Sequence, residues 1–372
     1  MNSLNESKDE NKEENQTKYK PDLHNINNNY FLQKLFNICK KSHSLQIFKY
    51  NKKLHKRLNI NLNDYKEYSE IFSPIEIEII PSENKYGIFI NSSKKNKSYI
   101  HIYLNDSKQE IRRNYLTKKD KVSKIKIIID YQVKSLSSLF NNCKCVESIT
   151  FKKFFRNNID NMNSMFYECS SLKEINISNF NTTNVIDMFN MFYGCSSLIE
   201  LNLLNFSTNN VNNMYQMFYK CSSLKELNIS NFNTANVQSM GSMFYECSSL
   251  TKLNLSNFNT DNVTEIEFMF YGCSSLKELN LSNFNTKNVK DMECMFYGCS
   301  SLTELNLSNF NTQNVINMSY MFSGCSSLKD LNISNFNTNK VIKMSYMFTG
   351  CSDILESKIR QENKNFKDEA FY

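Results

Sequence analysis

The chain has 372 residues, of which 40% are hydrophobic, including 20 Tyr and 28 Phe but no Trp; so many aromatics exclude a chain disordered throughout. The formal net charge is +7, and it is unevenly placed: residues 1–138 carry 26 Lys and Arg against 16 Asp and Glu, residues 139–351 carry 14 against 16, and residues 352–372 carry 4 against 5. The basic excess is diluted among acids and strand-forming residues rather than clustered, which argues against nucleic-acid binding, and no run of 18 apolar residues occurs, so no membrane span is expected.

In chain order, the opening MNSLNESKDENKEENQTKYK has no apolar core of the kind a secretory signal needs, and residues 1–24 are expected to be disordered. Residues 25–75 read as a short helical region, with apolar residues at Phe31, Leu35, Ile38, Leu45, Ile47, Phe48, Leu54 and Leu58. Within it Leu35-Phe36-x-Ile38 and the later Asn51-Lys-Lys-Leu54 resemble an F-box, the adaptor helix bundle of ubiquitin ligases, which would imply a substrate adaptor. The simpler expectation is a small helical region with a capping role.

Residues 76–138 turn to strand patterns: Ile75-Glu-Ile77-Glu-Ile79, Ile88-Phe-Ile90, Tyr99 to Leu104 and Ile125-Lys-Ile127-Ile-Ile129. This stretch is expected to form a β-rich N-terminal cap. Its last strand begins 24 residues before Ile149 and is expected to add one strand to the repeats beyond it.

Those repeats dominate the chain. Cysteines stand at 143, 169, 195, 221, 247, 273, 299, 325 and 351, every 26 residues. Around them recurs one sentence, Met165-Phe-Tyr-Glu-Cys169-Ser-Ser-Leu172-Lys-Glu-Ile175-Asn-Ile177-Ser-Asn-Phe180-Asn-Thr182, then Val185 and Met188. Full copies begin at Met165, Met191, Met217, Met243, Met269, Met295 and Met321, with a degenerate copy before and a truncated one after, so the repeats are placed at 139–355. Each contains Leu-x-x-Leu-x-Leu, as in Leu276, Leu279 and Leu281, whose last positions alternate as in a half-buried strand. Val289, Met292, Met295-Phe296 and Cys299 recur at steps of three or four, a helical or tight-coil rhythm that Thr286 is placed to cap. A single unit cannot bury its own apolar face, so neighbours must stack. The expected fold is a leucine-rich-repeat-type solenoid: a parallel β-strand ladder with short helical or irregular convex segments, preceded by a small α+β N-terminal cap region. Residues 356–372 form a charged C-terminal tail or cap.

The unit from Met295-Phe-Tyr-Gly-Cys-Ser-Ser-Leu302 through Leu305, Leu307, Phe310, Asn311-Thr312 and Asn314-Val315 to Met318 resembles the BspA-like leucine-rich repeat family of bacterial and protist surface proteins. The resemblance implies a leucine-rich-type solenoid with a role in adhesion or protein binding, and a cell-surface location.

For chemistry, the nine in-phase thiols are expected to be buried and free, behaving as small hydrophobes. The Met-Phe pairs keep the phase of every unit and are expected in the core. Cys143-Lys-Cys145 lacks a second pair or a His at ligand spacing, the four histidines (24, 43, 55, 101) lie outside the repeats, and no phosphate loop or nucleophile–base arrangement is present. No catalytic, cofactor or metal residues are therefore assigned. The candidate partner-binding face is the outward side of the strands: Glu174, Asn176, Glu200, Asn202, Glu226, Asn228, Asn254, Glu278, Asn280, Glu304, Asn306, Asp330 and Asn332. Its asparagines are expected to bond to one another from rung to rung, and its acidic row, broken by Lys252, to favour a protein partner with a basic segment. Sequons such as Asn176-Ile-Ser178, Asn205-Phe-Ser207, Asn262-Val-Thr264 and Asn317-Met-Ser319 fall where sugars would obstruct stacking. With the missing signal and the unpaired thiols, they favour the cytoplasm, the cell surface being the alternative that the family resemblance implies.

Overall fold

The computed structural model describes residues 29–30, 34, 56–57, 73–92, 97–130, 133–362 and 365–372. The chain divides into two compact units, Met1–Ser69 and Glu70–Tyr372. The disorder expected over residues 1–24, the helical region and its F-box-like residues fall almost wholly outside the described residues. The second unit contains repeated units, is rich in β-structure and poor in helix among the described residues, and holds open sheets rather than a closed barrel.

Its first part is a set of short strands: β1 (Ile75–Pro81), β2 (Gly87–Ile88), β3 (Ile100–Leu104), β4 (Glu110–Ile111), β5 (Tyr115–Leu116), β6 (Ile125–Ile129) and β7 (Val146–Lys153). Strands β2 and β5 pair with each other; the rest lie in the order β4-β3-β6-β1-β7, followed by the first repeat strand, β8 (Glu174–Asn176). β6 therefore does not join the repeats, contrary to the expectation from its spacing. β1 lies between β6 and β7, antiparallel to both, and parallel pairing starts only between β7 and β8. The side chains of β1 match this placement. Ile75, Ile77 and Ile79 are buried, while Glu76 reaches Lys126 of β6 at 3.9 Å and also Lys153 of β7, and Glu78 meets Lys152 of β7 at 3.2 Å. β1 thus carries a partner for the lysines on each side.

From Ser135 onward the chain runs in 26-residue turns. After β7, each contributes at most three residues of strand: β8, β9 (Glu200–Asn202), β10 (Glu226–Asn228), β11 (Lys252–Leu253), β12 (Glu304–Asn306) and β13 (Asp330–Asn332). Neighbours pair in parallel and in register, Glu200 with Glu226 with Lys252, and Glu304 with Asp330. Residues 278–280 are not strand, so β12 and β13 form a sheet apart from β9, β10 and β11, and β8 belongs to the sheet of β7. A second column of parallel bridges links Ser135, Asn161, Asp187, Asn213, Ser239 and Glu265, and resumes at Asp291, Asn317 and Lys343.

The segments between strands are not helical. They are successive tight turns, with Met295 N–H donating to the Met292 carbonyl at 3.3 Å and Cys299 N–H to that of Phe296 at 3.1 Å. Alternate amides instead point to the next unit, as Phe296 N–H does to the Met321 carbonyl at 2.9 Å. A helix would commit every amide to its own segment; here half of them join neighbouring units. Thr286 caps nothing: its buried hydroxyl donates to the Asn311 carbonyl of the next unit at 3.0 Å. The equivalent threonines at 182, 208, 234, 260 and 312 are also buried and bond across units.

One continuous core runs through the units. The Met and Phe of every Met-Phe pair are fully buried, and the phenylalanines from Phe140 to Phe348 stack face to face with centroids 5.4–5.8 Å apart. After the last unit comes α1 (Asp353–Glu362), which buries Leu355 and Ile359. The chain then returns so that Phe371 stacks on Phe348 at 5.2 Å, while Tyr346 and Phe348 donate backbone bonds to Glu369 and Ala370.

Candidate binding surface

The outward strand residues are held rigidly by their neighbours in sequence. In β9, β10, β12 and β13 the middle leucine is buried and the residues on either side are exposed, as alternation on a strand requires. Glu174, Glu200, Glu226, Glu278, Glu304 and Asp330, with Lys252 among them, therefore form one exposed column, and Asn176, Asn202, Asn228, Asn254, Asn280, Asn306 and Asn332 a second.

These asparagines do not bond from rung to rung as the sequence suggested. Each side-chain oxygen accepts the amide N–H two residues on: Ser178 to Asn176 at 3.2 Å, Leu204 to Asn202 at 3.1 Å, Ser308 to Asn306 at 3.0 Å. A local turn of this kind is the ordinary competitor of longer-range bonding for Asn. It ends each strand after three residues and fixes the outer edge of the face.

The asparagines that do bridge units are others in the same sentence. Asn231 Nδ2 donates to the carbonyls of Leu203 and Phe206 at 3.0 and 2.7 Å, and Asn309 to those of Leu281 and Phe284 at 2.9 and 2.7 Å. Asn236, Asn262 and Asn288 each reach back one unit, to Asn209, Ala235 and Asp261, at 2.7 Å. Composition alone offered no way to separate these roles, since all are Asn in a polar stretch.

Of the thirteen candidate residues, the structure gathers Glu278, Asn280, Glu304, Asn306, Asp330 and Asn332 around a shallow depression of about 730 Å³, floored by Leu279, Leu281 and Leu305. Glu174, Asn176, Glu200, Asn202, Glu226, Asn228 and Asn254 lie outside it. Asp330 also meets Lys358 of α1 at 3.2 Å. A feature missed in the sequence is the residue just before each acid: Lys173, Lys225, Lys277 and Lys329 recur in alternate units and are exposed. They flank the acidic column, so the face carries mixed charge rather than a purely acidic stripe. The signal was present as an alternation of period 52, twice the repeat.

The thiols are poor candidates for chemistry. Cys169, Cys195, Cys221, Cys247, Cys273, Cys299 and Cys325 are free and buried, and each Sγ donates to the carbonyl of a phenylalanine in the preceding unit at 3.0–3.2 Å. Burial pushes the Cys169 and Cys221 thiols up to about 12, so the reactive thiolate does not form near neutral pH. Among the described residues no group of three or more His, Cys, Asp or Glu side chains is arranged to hold a metal ion, and no helix is long and apolar enough to cross a membrane.

The family model described as "Mycoplasma protein of unknown function, DUF285" matches residues 134–252, 197–300 and 274–369. The three overlapping matches span the repeats and reach the C-terminal turn. No curated protein and no solved structure matches.

Proposed function

Since the chain belongs to the family described as Mycoplasma protein of unknown function, DUF285, and that family match lies on the repeats, we propose that function resides there: the units form a leucine-rich-type solenoid of the BspA-like kind that serves as a non-enzymatic protein-binding scaffold. Parallel in-register pairing of successive units supports the architecture. The observation that carries the binding reading is the depression around Glu278, Glu304 and Asp330. It offers a leucine floor for an apolar contact, carboxylates for Lys or Arg, and a rim held by local turns, so little ordering cost accompanies binding. The partner is a protein segment that combines an apolar side chain with basic ones.

A photo-crosslinking residue at Glu304, used in extracts of the protein's own cells, is expected to yield discrete protein adducts that weaken at high salt. The same residue at exposed Lys290 is the control. No adduct from 304, or equal adducts from both, would remove the strand-face reading.

The second reading is a surface adhesin, which the BspA-like resemblance favours. Free buried thiols support an interior location instead, as do sequon asparagines whose amide nitrogens already hold units together: Asn205 bonds Phe180 at 3.1 Å, Asn262 bonds Ala235 at 2.7 Å and Asn317 bonds Glu293 at 3.0 Å. Protease treatment of intact cells separates the two readings: protection is expected, and digestion would establish the adhesin.

A further inference from the structure

On the turns that follow the strands, one repeat position carries Phe189, Tyr215, Gly241, Glu267 and Glu293 in successive units. The Phe189 and Tyr215 rings stack at 5.9 Å. Gly241 is there for space. A β-carbon on it would lie 2.7 Å from both Glu267 Oε1 and Tyr215 Cε2, so the missing side chain lets a carboxylate and a ring from units on either side converge on one notch.

A depression of about 600 Å³ opens at this place, lined by Phe189, Tyr215, Ser239, Glu265 and Glu267 among others. The Ser239 hydroxyl oxygen is buried in it without a hydrogen-bond partner. Asp291 and Glu293 stand one unit further, each accepting from Asn317 Nδ2, at 3.2 and 3.0 Å. The charged groups that act on Glu267 are all carboxylates: Glu265, Asp291 and Glu293.

We propose that this depression binds an organic cation, an ammonium or guanidinium group seated against the Tyr215 ring with Glu265 and Glu267 as its counter-charges. Carboxylates alone would attract any cation. The aromatic wall selects weakly hydrated organic ones, whose charge spreads over a surface that a ring face can meet, over strongly hydrated sodium. Burial, aided by the neighbouring carboxylates, pushes Glu267 up to about 7. A bound cation favours its ionised form, so affinity rises between pH 6 and pH 8. The site is separate from the strand-face depression and stands or falls independently of it.

The chain has only seven glycines, so full-length protein labelled with 15N-glycine gives seven amide resonances, with Gly241 inside the notch. Titration with tetramethylammonium, Nα-acetyl-arginine amide and Nα-acetyl-lysine amide, against matched sodium chloride, is expected to move the Gly241 resonance saturably and leave the other six in place. Glu267→Gln and Tyr215→Leu are each expected to weaken the response about fivefold or more, and the six other resonances verify that each variant folds. Tighter binding of the amino-acid amides assigns the site to a partner's side chain, and tighter binding of tetramethylammonium to a free alkylammonium. A Gly241 resonance that ignores all three cations, follows sodium chloride equally, or responds undiminished in both variants would overturn the proposal.

Discussion

Two residues in each unit adopt left-handed backbone. Just before the cysteine this position holds Gly194 (φ 70°), Gly272, Gly298, Gly324 and Gly350, but Glu168 (φ 57°), Lys220 (φ 56°) and Glu246 (φ 52°) in other units. A side chain costs roughly 1–2 kcal/mol there, partly offset because glycine loses more freedom on folding. Lys220→Gly also gives up a 3.6 Å surface pair with Glu246, which is worth little. The net expectation is a gain on the order of 0.5 kcal/mol, read from the urea midpoint. Thr234 makes the opposite case. Its buried hydroxyl both donates to the Asn259 carbonyl and accepts the Asn259 amide, each at 2.8 Å, so Thr234→Val is expected to cost roughly 1–3 kcal/mol, while Thr234→Ser keeps both bonds. His101 adds a pH term. Burial lowers its pKa, but hydrogen bonds to Asp130 at 3.2 Å and Glu110 at 3.3 Å outweigh that and raise it. A raised folded-state pKa means stability that is present below the ordinary histidine pKa of 6.5 and is lost as pH climbs through the folded value. Urea midpoints are therefore expected to fall between pH 6 and pH 8 and to fall less in His101→Gln, the remainder coming from Glu267, which burial pushes up to about 7 and which acts in the same direction.

At the level of elements, the period and the buried positions were legible because identical residues every 26 places leave one consistent inside. The direction of β1 was not. Ile75-Glu-Ile77 and Ile125-Lys-Ile127 show the same alternation, and alternation says which face is buried but not which neighbour a strand takes. The turn segments stayed open between helix and tight coil for a related reason: steps of three and four mark a helix and a chain of tight turns alike, and only the destination of alternate amides tells them apart. The candidate face was legible in its exposure, since the acids and asparagines do point outward. Its division into one depression and an open remainder was not, because identical text sits over unequal ground. At the C-terminal end, α1 and the returning Phe371 cover Phe348. Truncation after Ser352 would uncover that ring and the unpaired edge of the last unit, which invites pairing with a second chain. Size-exclusion chromatography with light scattering is expected to show association of the truncated chain, and a monodisperse species with the same number of chains as the full-length protein would show that the cover is dispensable.

For the whole molecule, each unit touches chiefly the units before and after it, so stability is close to a sum of local and nearest-neighbour contributions. Removal of residues 295–320 would join Cys294 to Met321 in phase. The shortened chain is expected to fold with the same circular-dichroism shape and a urea m-value reduced in proportion to its smaller buried area. The in-phase thiols extend this to time. From Cys143 to Cys325 one such cysteine per unit is buried in the core, while Cys351 is half-buried; a pulse of a thiol-labelling reagent under native conditions would read eight shutters along one axis, each labelled only when its own unit opens. If opening spreads inward from the two ends, Cys143 and Cys325 are labelled first and Cys221 and Cys247 last, and mass spectrometry of the order would chart how far local openings travel before the molecule gives way.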